Sequence, residues 1–228
     1  MRCKIFFLIC IVFLTVIGFS VRISAAEPLA QAVFFGDSTT AHLALRGGIP
    51  HSRVWSGKGS TVLFETVNRT RCVHLAAEGL DLTLHEAVAL KKPKILVITV
   101  GVSGGAGQMP QDAFLENYRT LLESVRDASP ETKILVQSIL PLADGSVRYY
   151  KRLTKEAVLE ANAWIASLCS DMGVPYVDTH AKLLDPQTGY LKKEYQNDDY
   201  MHLTASAYEV VLASLREAVL THFGEVGA

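Results

Sequence analysis

Ser38, Asp199 and His202 are the residues whose types and spacing can do chemistry. Ser38 stands in Gly36-Asp37-Ser38, directly after the apolar run Ala32–Phe35. Asp199-Tyr200-Met201-His202 comes near the other end, just ahead of the last amphipathic stretch. A serine hydroxyl is a poor nucleophile until a base sits within hydrogen-bond reach. Histidine suits that task, because an unperturbed imidazole titrates near neutrality and can return the proton to a leaving group. A carboxylate three residues before the imidazole can reach Nδ1 and fix the tautomer. Asp198 is adjacent and competes for that position. Taken alone, Gly-Asp-Ser reads as a turn and helix cap, and a lone histidine before a helix reads as a surface residue. Taken together, the two motifs supply what acyl transfer needs. Among the other histidines (His42, His51, His74, His85, His180 and His222), only Asp178-Thr179-His180 pairs a carboxylate with an imidazole after a strand, and its spacing of two points the side chains apart.

The elements that must position these residues alternate along the chain. Apolar, β-branched runs at Ala32–Phe35, Arg53–Trp55, Lys94–Val100, Lys133–Ile139 and Val174–Val177 read as strands. Between them lie helical patterns. Thr83-x-x-Glu86 is a capping box opening a helix through about Leu90. Asp112 to about Ala128 has helical period, Leu153 to about Met172 is closed by Gly173, and Thr204 caps a final helix to about Phe223. Strands without polar alternation, separated by helices, imply a parallel sheet covered on both faces. Residues 57–79 show no period. Parallel α/β sheets gather ligands beyond the carboxyl ends of their strands. Ser38, Ser103, Asp199 and His202 are therefore expected at one rim, with Ser38 at a helix start whose N–H groups face a developing oxyanion.

Gly-Asp-Ser-x-Thr near the start, with Asp-x-x-His near the end, resembles the GDSL-type (SGNH) esterase and lipase family over nearly the whole chain after residue 26. The resemblance implies a flavodoxin-like three-layer α/β/α sandwich with a parallel sheet of about five strands. It selects Asp199 over Asp198 and implies an oxyanion hole of three donors. These are the Ser38 N–H, a glycine N–H after the second strand (Gly57, or Gly59 beside it) and a side chain after the third. The family has Gly-x-Asn at the third place, whereas this chain has Gly101-Val102-Ser103. Losing an oxyanion donor outright lowers the rate roughly 10²–10³-fold, so Ser103 implies weaker catalysis, a water-assisted donor, or no catalysis at all. Gly101-Val102-Ser103-Gly104-Gly105 also satisfies the nucleophile-elbow pattern G-x-S-x-G, but no helix follows it directly. Trp55 and Tyr149 are candidates to line the substrate cleft, the latter on the loop Leu142–Arg152.

Composition narrows the class. Net charge is −1 and no basic stripe occurs, which argues against nucleic acid as a partner. Met1-Arg2-Cys3-Lys4, an apolar run to about Val21 and Ser24-Ala25-Ala26 read as a secretory signal (residues 1–26) cut after Ala26. The rival is an uncleaved anchor, though the run is short of the roughly 20 residues a spanning helix needs. Residues 27–228 are then expected to form a single domain, secreted or in the cell envelope, without stable membrane insertion once the signal is removed. Cys72 and Cys169 remain, as a disulfide or as two buried thiols. The expected activity is hydrolysis of a small-acyl ester, O-acetyl groups on carbohydrate among them, on a small-molecule or glycan ester, with no metal or organic cofactor. The alternatives are a lysophospholipase or thioesterase of the same family, or a non-catalytic carbohydrate- or envelope-binding protein on the same fold.

Overall fold

The computed structural model describes residues 27–224. The signal segment read at residues 1–26 lies outside the described residues. Among the described residues, no helix is long and apolar enough to cross a membrane.

The first strand, β1 (Ala32–Gly36), runs into helix α1 (Ser38–Arg46). Then come β2 (Val54–Trp55), β3 (Val73–Leu75), β4 (Leu80–Leu82), α2 (Leu84–Lys91), β5 (Ile95–Thr99), α3 (Gln111–Ala128), β6 (Lys133–Gln137), α4 (Lys155–Met172), β7 (Tyr176–Val177), α5 (His180–Leu183) and α6 (Ala205–Phe223). Five strands form a parallel sheet in the order β2-β1-β5-β6-β7. The order reverses at β1, and ligand crevices in such sheets open at that point.

Each central strand is apolar on both sides because both sides are covered. In β5, Leu96 and Ile98 pack with α2, α3 and α4, while Ile95 and Val97 pack with α1 and α6. Burying each such side chain contributes about 1.5–3 kcal/mol. The result is the three-layer α/β/α sandwich.

Helix ends follow the local chemistry. Thr83 and Glu86 close a reciprocal capping box. Thr154 and Thr204 cap α4 and α6, and Gly173 ends α4 in a left-handed conformation at φ 61°. The unpatterned stretch at 57–79 holds the start of an antiparallel pair, β3 with β4, which the sequence does not announce. Leu80 and Asp81 of β4 are exposed, so the pair lacks the apolar run that marks the central strands. Cys72 and Cys169 are both free and buried, and burial pushes their thiols up to about 11 and about 12. That resolves the pairing question in favour of two inert thiols.

Candidate active site

Ser38 is delivered by the junction of β1 and α1. Gly36 is needed there because a Cβ would lie 2.2 Å from both the Thr40 hydroxyl and the Thr99 carbonyl. Asp37 caps the helix, its Oδ1 accepting the Thr39 N–H at 3.1 Å and the Thr39 hydroxyl at 2.9 Å. Burial pushes the Asp37 carboxyl up to about 6 despite those hydrogen bonds. Ser38 is the first residue of α1, so its N–H belongs to the donors that the helix leaves unpaired at its positive end.

His202 is delivered by a closed turn. Gln196 and Leu203 form an antiparallel bridge, and the Asn197 N–H donates to the His202 carbonyl at 2.9 Å. Inside the turn, Asp198 folds back on the chain. Its Oδ1 accepts the N–H groups of Tyr200, Met201 and His202 at 3.1, 3.0 and 3.1 Å. Its Oδ2 pairs with Nδ1 of the His202 ring. Burial pushes the Asp198 carboxyl up, but these bonds outweigh it and hold the group below its ordinary value. The second ring nitrogen, Nε2, stands 3.0 Å from Ser38 Oγ, across 164 positions of sequence. With Nδ1–H donating to an ionised Asp198, Nε2 is left to accept the Ser38 proton. The imidazole and carboxylate are only 15% and 23% exposed, so their interaction is little screened by solvent.

Residues 34–210 match the GDSL-like Lipase/Acylhydrolase family. The chain belongs to this family. Solved structures agree on the fold. A Streptococcus pneumonia protein named as a platelet activating factor is 22% identical, with 87% of this chain and 86% of that chain covered and a TM-score of 0.63. The lipase/acylhydrolase from Enterococcus faecalis is 19% identical, covering 86% and 98% at a TM-score of 0.55. A carbohydrate esterase family 3 structure from Talaromyces cellulolyticus is 14% identical, covering 86% and 99% at 0.55. The comparison with curated proteins gives no match.

Within this acylhydrolase fold, Ser38 and His202 meet as their motifs imply, but Asp199 does not join them. Its carboxylate is 57% exposed and lies 3.7 Å from Arg148; Asp198 takes the imidazole instead. The reason lies in the backbone, which curls around the residue-198 carboxylate so that three successive N–H groups donate to it. Gly57 is a second correction. Its N–H donates to the Thr61 carbonyl at 3.2 Å, so it is not free for an oxyanion. Trp55 is a third. It is 2% exposed within the core and borders a cavity of about 500 Å³ shared with Gly57, Ser60 and His74. That cavity is separate from the one, also about 500 Å³, that Ser103 lines with Thr61, Tyr149, Tyr150, Arg152 and Met201.

Ser103 and Tyr149 therefore share a cavity, and Met201, next to His202, forms part of its wall. Residues 101–109 make successive turns and α3 begins only at Gln111, so no strand–turn–helix elbow forms at Ser103. His180 is buried, with Nδ1 2.9 Å from the Ile139 carbonyl, and serves the core. Two residues the motifs do not single out touch the imidazole. The ring centroid of Tyr200 is 5.0 Å from that of His202 and 5.1 Å from that of Tyr149, and His42 lies 4.5 Å from His202. His42 follows Ser38 at i+4, a spacing that puts both on one helix face; that is the signal by which it can be found.

Proposed function

We propose that this chain is an exported serine ester hydrolase that removes small acyl groups, O-acetyl groups on carbohydrate among them, through an acyl-enzyme on Ser38. The observation that carries this reading is the hydrogen-bonded series Ser38 Oγ, His202, Asp198. Ser38 Oγ attacks the ester carbonyl while Nε2 of His202 takes its proton. The carbonyl oxygen becomes an oxyanion facing the Ser38 N–H. Collapse breaks the bond to the alcohol oxygen, which leaves with the proton from the imidazolium. Water then repeats the sequence on the acyl-serine and releases the acid. Ser103 is the candidate for a further oxyanion donor.

Two hollows beside the Ser38–His202 pair bear on the substrate, the smaller one in favour of a short acyl group. The hollow bordered by Asp37, Val102, Ile139, Leu140 and Met201 measures about 10 Å³, room for about one water molecule. The larger cavity with Tyr149 and Tyr150 opens beside it and suits the alcohol portion, since exposed aromatic rings with nearby polar groups bind sugar faces. The carbohydrate esterase among the fold neighbours fits that substrate class. The signal read at residues 1–26 supports export to the cell envelope or beyond.

The test is hydrolysis of p-nitrophenyl acetate by residues 27–228, followed by a panel of acetylated glycans and longer acyl esters. Turnover that Ser38→Ala abolishes is expected, with acetyl preferred over longer chains. No turnover, together with glycan binding unchanged in Ser38→Ala, would replace this reading by a non-catalytic binding protein.

A further inference from the structure

His42 is not part of either motif, yet its ring is packed against the imidazole of His202, centroids 4.5 Å apart and planes inclined by 58°. It makes this contact from α1, the helix that Ser38 opens, so one rigid element fixes both the hydroxyl and the ring that faces its base. The Nδ1 of His42 is buried and has no hydrogen-bond partner among the described residues. The contact with His202 is made ring against ring, through a tilted face.

Burial and three charged or titratable neighbours among the described residues act on the charge of His42. Burial is the largest influence and disfavours its cation; His202 on the neighbouring turn and Arg46 on its own helix do so as well. Asp198 opposes them and does not prevail, leaving His42 at about 4. Burial thus favours the uncharged ring near neutral pH. Tyr200 adds a second ring, at 65° to His202.

We propose that His42 is a positioning residue, a planar ring that holds the His202 imidazole in the orientation that keeps Nε2 on Ser38 Oγ. It acts through His202 and touches no reacting atom. The inference rests on the Ser38–His202 reading above, and goes beyond it by making the helix that carries the nucleophile also set the plane of the base. No bond is made or broken by His42.

The test compares His42→Leu with His42→Phe. Both fill similar volume, and only the second keeps a planar ring. Two readouts are taken on each: kcat and KM for p-nitrophenyl acetate, and the rate at which a fluorophosphonate probe labels Ser38. His42→Leu is expected to lower kcat and the labelling rate at least tenfold with KM changed by less than twofold. His42→Phe is expected to stay within threefold of the parent in both. Melting temperatures recorded alongside separate a loss of fold from a loss of alignment. Equal rates for Leu, Phe and the parent would overturn the proposal, since bulk alone would then suffice. A Phe variant as impaired as the Leu variant would also overturn it, since the imidazole's own chemistry would be required. A parent protein that labels at Ser38 but hydrolyses no ester would sink the hydrolase reading alone, leaving the labelling comparison to decide the role of His42.

Discussion

An imidazole can take a proton on Nε2 only while Nδ1 is held as the donor, so the identity of the residue on Nδ1 decides whether Ser38 has a base. Asp198 is that residue, and three backbone N–H groups fix its other oxygen. An asparagine at 198 can still accept those N–H groups, but it presents an NH₂ to the ring and forces the wrong tautomer. Asp198→Asn is therefore expected to lower kcat by about 10³–10⁴-fold while the fold survives, by analogy with the serine-protease triad. Asp199→Asn removes only an exposed pair with Arg148 and is expected to stay within about threefold, because such pairs contribute little. Steady-state kinetics with near-UV circular dichroism on both variants checks this, and the opposite ranking would return the orienting role to Asp199. Spacing alone does not separate the two aspartates, since both lie within one turn of His202. The closed turn that favours residue 198 is a backbone arrangement, and side-chain spacing carries no record of it.

The turn that holds His202 is itself seated against the loop that carries Tyr149. Ala143 N–H donates to the Tyr200 carbonyl at 2.9 Å, and Gly145 lies so close that a Cβ there would be 2.4 Å from the Asp199 carbonyl. Gly145→Ala must push the 198–202 segment outward, and displacement by about 1 Å can reduce a rate about 10²-fold. The expected result is a loss in kcat/KM of about tenfold or more, while the melting temperature falls by only about 2–4 °C. A variant that loses stability and keeps its activity would show that the loop and the turn are not coupled. At this scale much was readable from sequence. The central strands announce themselves as apolar runs because both faces are buried, and Thr83, Gly173 and Thr204 mark helix ends because capping is local chemistry. The antiparallel pair β3–β4 was not readable, since short strands with exposed residues carry no period. Trp55 departs from its sequence position for a related reason. Its place at the end of β2 suggests the rim, but a covered edge strand turns its large side chains inward, and no sequence signal states which way. Gly57 was lost to a loop that closes on itself through Thr61.

Across the whole molecule, the dependence of stability on pH is set by a few groups whose protonation differs between the folded and unfolded chain. Burial lowers His42 to about 4 and lowers His180. Below their ordinary value of 6.5 the unfolded chain takes up protons that the folded one refuses, so their contribution is full above that pH and is lost as pH falls. Asp198, also lowered, adds stability above its ordinary 3.8 that disappears in stronger acid. Asp37 acts in the opposite sense. Raised from 3.8 to about 6, it binds a proton in the folded state first, so it favours folding in acid and weighs against folding as pH rises from 3.8 through 6. In the window from about 6 to 4 the protein is therefore expected to lose stability more gently than its buried histidines alone would dictate. Asp37→Asn keeps the helix cap and removes the titration. Relative to the parent, the variant should be more stable at pH 7.5 than at pH 4 by roughly 2–3 kcal/mol, from a shift of about two units at 1.36 kcal/mol each. Urea unfolding of both proteins at the two pH values measures the difference directly. If the variant is shifted equally at both, the Asp37 carboxyl does not titrate in that window, and its burial at the start of α1 is compensated by a partner other than Thr39.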